Sequence, residues 1–241
     1  MIDWLRRNPR DVPTVDLGSA CLPIVVRRHA NARRMTLRLA PDGSEVRVTI
    51  PRWGRSGDAI DFAQAKRDWL AEQLASRPVA QPIGHGATIR YRGKPTTVSH
   101  DPGARRQPAV GQGAIVIGGP EASIKGRLRR WLEAEARTLF AEDLAHYCVR
   151  ADRIPPRLAL SNAQRRWGSC GPKGSIRINW RLIMAPDMVR RSVVAHEVAH
   201  LVHFDHSPRF HALLGELFEG DIKAANRWLK QEGRSLYAPF G

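Results

Sequence analysis

The chain runs to 241 residues, of which 42% are hydrophobic and 26% charged. Such a length makes one large domain or two small ones and buries a core without disulfide staples. The composition excludes fibrous, collagen-like and wholly disordered classes. Thirty-nine basic residues against 23 acidic ones leave a net charge of +16, shared by both halves of the chain. A pI near 11.1 draws a protein to polyanions by counterion release, so non-specific nucleic acid contact is expected. Of the basic residues 33 are Arg and 6 are Lys, a ratio that codon bias explains while leaving the net charge unexplained. Cys21, Cys148 and Cys170 are odd in number and far apart, which suits a reducing compartment better than a disulfide framework. The N-terminus has no apolar signal segment, and no run approaches the roughly 18 apolar residues of a membrane span. A cytoplasmic protein without membrane contact is the expectation.

In chain order, residues 1–19 mix Pro, Asp and Arg without a period and read as a flexible arm. Leu22, Ile24 and Val26, then Met35, Leu37 and Leu39, then Val46, Val48 and Ile50 alternate with period two, the pattern of half-buried strands. Pro41-Asp42-Gly43 supplies a turn between the second and third. Asp58 predicts the cap of one helix reaching about Ser76, with Ile60, Ala63, Trp69, Leu70 and Leu74 largely on one face. Pro78 to Gly86 breaks the chain. A second strand set is expected around residues 89–91, 96–98 and 114–117, loosely like the first in layout, although no internal repeat stands out. Ile124, Leu128, Trp131, Leu132, Leu139, Leu144 and Tyr147 then give the longest helical period. The boundary is placed there, with a β-rich region containing one helix over 20–118 and a mostly helical region over 119–241. Within the latter, Leu158 and Leu160 suggest one strand. Ile176, Ile178, Trp180 and Leu182 alternate with Arg177, Asn179 and Arg181 in another, and Pro186-Asp187 opens a helix carrying Val189, Val193, His196 and His200.

His196-Glu197-Val198-Ala199-His200 is an H-E-x-x-H motif. Residues four apart stand one above the other on a helix face, so both imidazoles reach one metal ion. Apolar residues frame the motif, and Glu197 is its one charged side chain. A zinc site of this kind needs a third protein ligand and an open position for water. His203 lies on the same face but roughly 10 Å along the axis from His196, too far to join both others from a straight helix. His206 is better placed, because Phe204-Asp205 can end the helix and Ser207-Pro208 reads as the cap and first turn of the next. Glu216, Glu219 and Cys170 remain alternative third ligands.

The runs Arg166-Trp167-Gly168-Ser169-Cys170, Ile178-Asn179-Trp180-Arg181-Leu182-Ile183, His196-Glu197-x-x-His200 and His206-Ser207-Pro208-x-Phe210 together resemble the YgjP-like metallopeptidases, relatives of the SprT-like and WLM zincins. The similarity extends upstream through Arg33-Arg34-Met35-Thr36-Leu37, Pro41-Asp42-Gly43, Lys66-Arg67-Asp68-Trp69-Leu70 and Tyr91-Arg92-Gly93. The resemblance implies an α+β protein whose C-terminal half is zincin-like, with a small sheet and a metal helix. It implies Zn2+ on His196, His200 and His206, Glu197 as the catalytic group and a polypeptide substrate. His211 and Asp205 depart from the family's usual Trp and Asn. Metzincins share the histidine spacing but need a Met-turn downstream, and all four Met residues precede the motif.

In such a site Glu197 takes a proton from water and passes it to the leaving amine. Arg165, Arg166, Arg177, His203, His211 and Tyr237 are candidates for a second oxyanion donor. Trp167 and Gly168 are expected in a loop beside the site. Ile178 and Asn179 are expected on an edge strand that pairs with an extended peptide, as in zincins. Two other classes stay open: a metal-dependent endoribonuclease or a nucleic-acid-associated protease of the DNA-protein crosslink type, and a binding protein that keeps the motif as a structural clip.

Overall fold

The computed structural model describes residues 12–40, 43–75, 82–172 and 174–240. The turn expected at Pro41-Asp42 and residues 1–11 of the expected arm lie outside them. The chain divides into two units, residues 1–77 with Gly241, and residues 78–240.

In the first unit, Leu22, Ile24, Val46, Val48 and Ile50 turn to one face, as their period-two spacing requires. They lie on β2 (Cys21–Arg28) and β4 (Val46–Ile50), which pair in parallel. β3 (Thr36–Leu39) flanks β4, and β1 (Thr14–Asp16) flanks β2, giving the order β1-β2-β4-β3. A strand therefore occupies part of what reads as a flexible arm. Its central Val15 is buried. The expected single helix is two, α1 (Ser56–Ala65) and α2 (Arg67–Ala75), and it begins before Asp58. At Lys66 the amide turns to the Ala63 carbonyl, a tighter bond that interrupts the α-helical ladder. Ala59, Ala63 and Leu70 close the core, while Trp69 faces out.

The second unit opens with β5 (Thr88–Tyr91), β6 (Lys94–His100), β7 (Ala109–Gly111) and β8 (Ala114–Ile117) in the order β5-β6-β8-β7. Strand order and directions repeat those of the first sheet: antiparallel, parallel, antiparallel. The loop after the second strand also repeats, with Ala32-Arg33-Arg34 in one copy and Ala104-Arg105-Arg106 in the other. A topological duplication thus underlies a likeness that the sequence shows only loosely.

The long helix α3 (Ile124–Arg150) packs its Leu128, Leu132, Phe140 and Leu144 into the same core as Ile89, Val98, Ile115 and Ile117. That shared core moves the boundary from the expected 119 to 77. The β5–β6 turn strengthens it: Arg92 and Gly93 amides donate to the Ile183 and Met184 carbonyls. Gly93 has φ +80, and a Cβ there would meet Pro186 at 2.7 Å, so glycine alone fits.

β9 (Leu158–Ser161), β10 (Gly168–Cys170) and β11 (Ile176–Asn179) form a third sheet in the order β10-β11-β9. The expected strand through Leu182 stops at Asn179, whose side chain accepts from the Arg181 amide and starts a 3-10 turn over Trp180–Met184. That turn buries Arg181, which alternation would place outside. Its guanidinium stacks 4.7 Å from the Trp180 ring and 4.5 Å from the Tyr237 ring. Then come α4 (Asp187–Ala199), α5 (Pro208–Leu217) and α6 (Ile222–Glu232). Among the described residues no helix is long and apolar enough to cross a membrane.

Candidate metal centre

Helix α4 starts where Pro186 precedes Asp187, an acidic residue suited to the positive helix N-terminus. Val189, Val194, Ala195 and Val198 bury its inner face. Arg190 anchors it to α3 through a bond of 2.7 Å to Asp143 and reaches Asp187 at 2.7 Å. Burial pushes the Asp143 carboxyl up even though Arg190 pulls it down. Arg191 stands 3.7 Å from the same carboxylate, so removing Arg190 would strip Asp143 of its hydrogen bonds while leaving one cation beside it.

α4 ends at Ala199, and His200 follows still in helical conformation. The chain then turns through 201–206, and Ser207 caps α5 by accepting from the Phe210 amide, with Pro208 in the first turn. Asp205 accepts from the Ser207 amide and steadies the bend carrying His206. The Nε2 atoms of His200 and His206 each lie 3.2 Å from Nε2 of His196. Ligand nitrogens held by a tetrahedral ion at the usual zinc distance stand about 3.3 Å apart, which these two spacings match, and all three ligand atoms lie within 4.8 Å of one another. Among the described residues these three make the one group of three or more metal-ligand side chains.

The donors are prepared for cation binding. Burial, then the neighbouring His200, His206 and His211, pushes His196 down to about 4 and keeps its imidazole neutral. His200 Nδ1 lies 3.1 Å from the His203 carbonyl, which only accepts, so the ring proton sits there and the Nε2 lone pair faces inward. Phe210 is a platform under the cluster, with centroids 4.9, 4.5 and 4.9 Å from those of His196, His200 and His206. In the sequence Phe210 stands out only as part of a motif. The alternative third ligands are engaged elsewhere or stand apart: Glu219 pairs with Arg191 and accepts from Tyr147, and Glu216 and Cys170 stand outside the histidine group.

Glu197 is 5% exposed. Burial pushes its carboxyl up to about 7, opposed by the Cys170 backbone amide and the charge of Arg166. Gly168 leaves room for it: a Cβ there would come within 2.7 Å of Glu197 Cγ and Cδ. Gly168→Ala should therefore displace the carboxylate, keep the histidine cluster and lower activity roughly 10- to 100-fold. Metal content and kcat/KM measured together check this, and full activity with alanine present would contradict it. Of the expected oxyanion donors, Arg166 is the one whose charge acts on Glu197. Tyr237 instead donates to the Ala163 carbonyl at 2.8 Å.

The edge-strand expectation for Ile178 and Asn179 is corrected. β11 is the central strand, with β10 on one side and β9 on the other, and both residues are fully buried. Asn179 donates to the Ala163 carbonyl at 2.6 Å, a structural bond. The edge beside Glu197 is β10. Its Trp167 and Gly171 bond to Asn179 and Ser175 on the β11 side, so alternation turns the backbone groups of Gly168 and Cys170 the other way. A cavity of about 240 Å³ adjoins this edge, lined by Trp167, Gly168, His196, Glu197 and, among others, Leu214 and Leu229. The α5 and α6 walls of that cavity are not legible in the sequence, because helical periodicity identifies a buried face without saying what it faces.

The model of the YgjP-like family, metallopeptidase domain, matches residues 33–232. The chain belongs to this family. Its members are metal-dependent peptidases as a class, and the histidine cluster has the composition and grouping to hold a metal ion. The metallopeptidase zymogen of Pyrococcus abyssi abylysin is similar at 18% identity and a TM-score of 0.36, covering 39% of this chain and 96% of that one. Curated proteins contain no significant match.

Proposed function

We propose that the protein is a cytoplasmic zinc peptidase of the zincin type, with His196, His200 and His206 as ligands and Glu197 as general base and acid. The observation that carries this reading is the convergence of three imidazole nitrogens beside a buried carboxyl held near 7. Zinc bound there supplies Lewis acidity, which acidifies water and polarises a carbonyl. Glu197, poised near neutral pH, takes the proton of the attacking water and returns it to the leaving amine. Both groups stand at the C-terminal end of α4, where the helix dipole favours a cation. The three cysteines are unpaired, in keeping with a reducing compartment.

The substrate is an extended polypeptide that pairs with the outer edge of β10 at Gly168. The adjoining cavity, walled by Val193, Leu214, Ile222 and Leu229 with Ser192 and Asn226 as polar groups, takes one apolar side chain next to the scissile bond. A nuclease or a structural clip has less need of a carboxylate buried beside the ligands.

The test is digestion of an unfolded protein by zinc-loaded and chelator-treated enzyme, with cleavage sites identified by mass spectrometry. We expect cleavage with zinc, little after chelation, recovery on re-addition, and apolar residues enriched beside the cut bond. Chelator-resistant cleavage, or cleavage of structured RNA in place of peptide, would sink the reading.

A further inference from the structure

We propose that one end of the first sheet, where Arg27, Arg33, Arg34, Arg52 and Arg55 occur together with Trp53, binds single-stranded nucleic acid. The surface belongs to the unit that holds none of the three histidines, so the inference stands apart from the peptidase reading.

Topology assembles it. β2 and β4 are parallel and β3 is antiparallel to β4, so the 29–35 loop and the 51–55 loop leave the sheet at the same end. Arg28 ties them together by donating to the Gly54 carbonyl at 3.3 Å and the Ser56 hydroxyl at 3.1 Å. Residues 27–40 and 46–57 contain eight arginines and no acidic residue. On the outer face Arg38 and Arg47 are directly opposite across the β3–β4 pair, a like-charge pairing that disfavours the free sheet. Glu45 offsets Arg47. Among the described residues Arg27, Arg33, Arg34, Arg38, Arg52 and Arg55 have no carboxylate partner, and all are exposed.

Trp53, 80% exposed, lies between Arg52 and Arg55 in the 51–55 loop at this end of the sheet. The second sheet shows the alternative. There the chain leaving β8 is Gly118-Gly119, the Gly118 amide bonds the Arg105 carbonyl, and Arg127 of α3 donates to the Gly118 carbonyl. The corresponding exit from β4 is Pro51-Arg52-Trp53, where Arg28 bonds the Gly54 carbonyl and Trp53 stays exposed. Guanidinium forks match phosphate oxygens, and an isolated indole offers a face to a base that is not already stacked in a duplex. A lipid surface fits less well, since Trp53 and Met35 are the large apolar side chains exposed at this end.

The test measures binding of the full-length protein to fluorescent oligothymidylate and oligouridylate of about 20 nucleotides, to duplex DNA and to phosphatidylserine vesicles, across a salt series. Affinity for at least one single strand should fall steeply with salt and exceed that for duplex and vesicles. The two strands tell which sugar is accepted. Trp53→Ala should weaken binding roughly 10-fold with little change in salt dependence. Arg33→Gln with Arg52→Gln should flatten the log–log salt slope by about 0.7 for each phosphate no longer neutralised, more than the matched pair Lys125→Gln with Arg130→Gln on α3. Weak binding of both strands at low salt, indifference to Trp53→Ala, an equal effect of the α3 pair, or preference for duplex or vesicles would overturn the proposal.

Discussion

His206→Ala is expected to strip the protein of zinc and of peptidase activity together, while Cys170→Ala keeps about one zinc per chain. His206 contributes one of three nitrogens grouped within 4.8 Å, and the two that remain on the α4 segment make an incomplete site. Losing a group that merely orients a ligand costs about 10- to 100-fold in affinity, so losing a ligand costs more. Cys170 serves the site through its backbone amide, which any residue but proline provides, and burial pushes its thiol up, away from the thiolate that metals prefer. Metal analysis of both purified variants decides the assignment. Zinc retained by His206→Ala and lost by Cys170→Ala would reverse it.

Glu197→Gln is expected to keep zinc and the fold while lowering peptide cleavage by about 10²-fold or more, because Gln is nearly isosteric and accepts no proton at neutral pH. Peptide cleavage at the wild-type rate by the variant would remove Glu197 from the mechanism. The same substitution carries a stability signature in chelator-treated protein. The folded value of about 7 lies above the ordinary 4.5, so folding favours the protonated carboxyl. The cost of burying the charge is absent below about pH 4.5, grows between the two values and is complete above about pH 7. Gln escapes it, so the variant should be more stable than wild type by about 3 kcal/mol near pH 8 and equal to it near pH 4. Denaturant unfolding at both pH values reads the difference. A stability gap that does not change with pH would contradict the burial of this carboxyl.

The histidine cluster was legible because helical spacing alone puts His196 and His200 on one face, and because Ser207-Pro208 announces a new helix that must turn back. The same local logic misplaced the substrate edge. Period-two alternation marks Ile176, Ile178 and their neighbours as a strand, but says nothing about whether partners flank it on one side or two. β10, only three residues long, has too little pattern to announce itself. Arg181 misled for a related reason: alternation reads a charged side chain as outward, whereas two aromatic faces and Asn162 accommodate it inside.

By itself the sequence determined most local elements: three of the four strands in each of the first two sheets, the long amphipathic α3, the metal-helix motif and the capped start of α5. These depend on contacts within a few residues, which spacing encodes. Only the tertiary structure decided that the second sheet shares its core with the metal unit, that Gly168 makes room for Glu197, that Phe210 supports three histidines, and that arginines from separate loops share one end of the first sheet with Trp53. Each joins side chains far apart in sequence, and that proximity is set by how strands pair and helices pack, which no local period records.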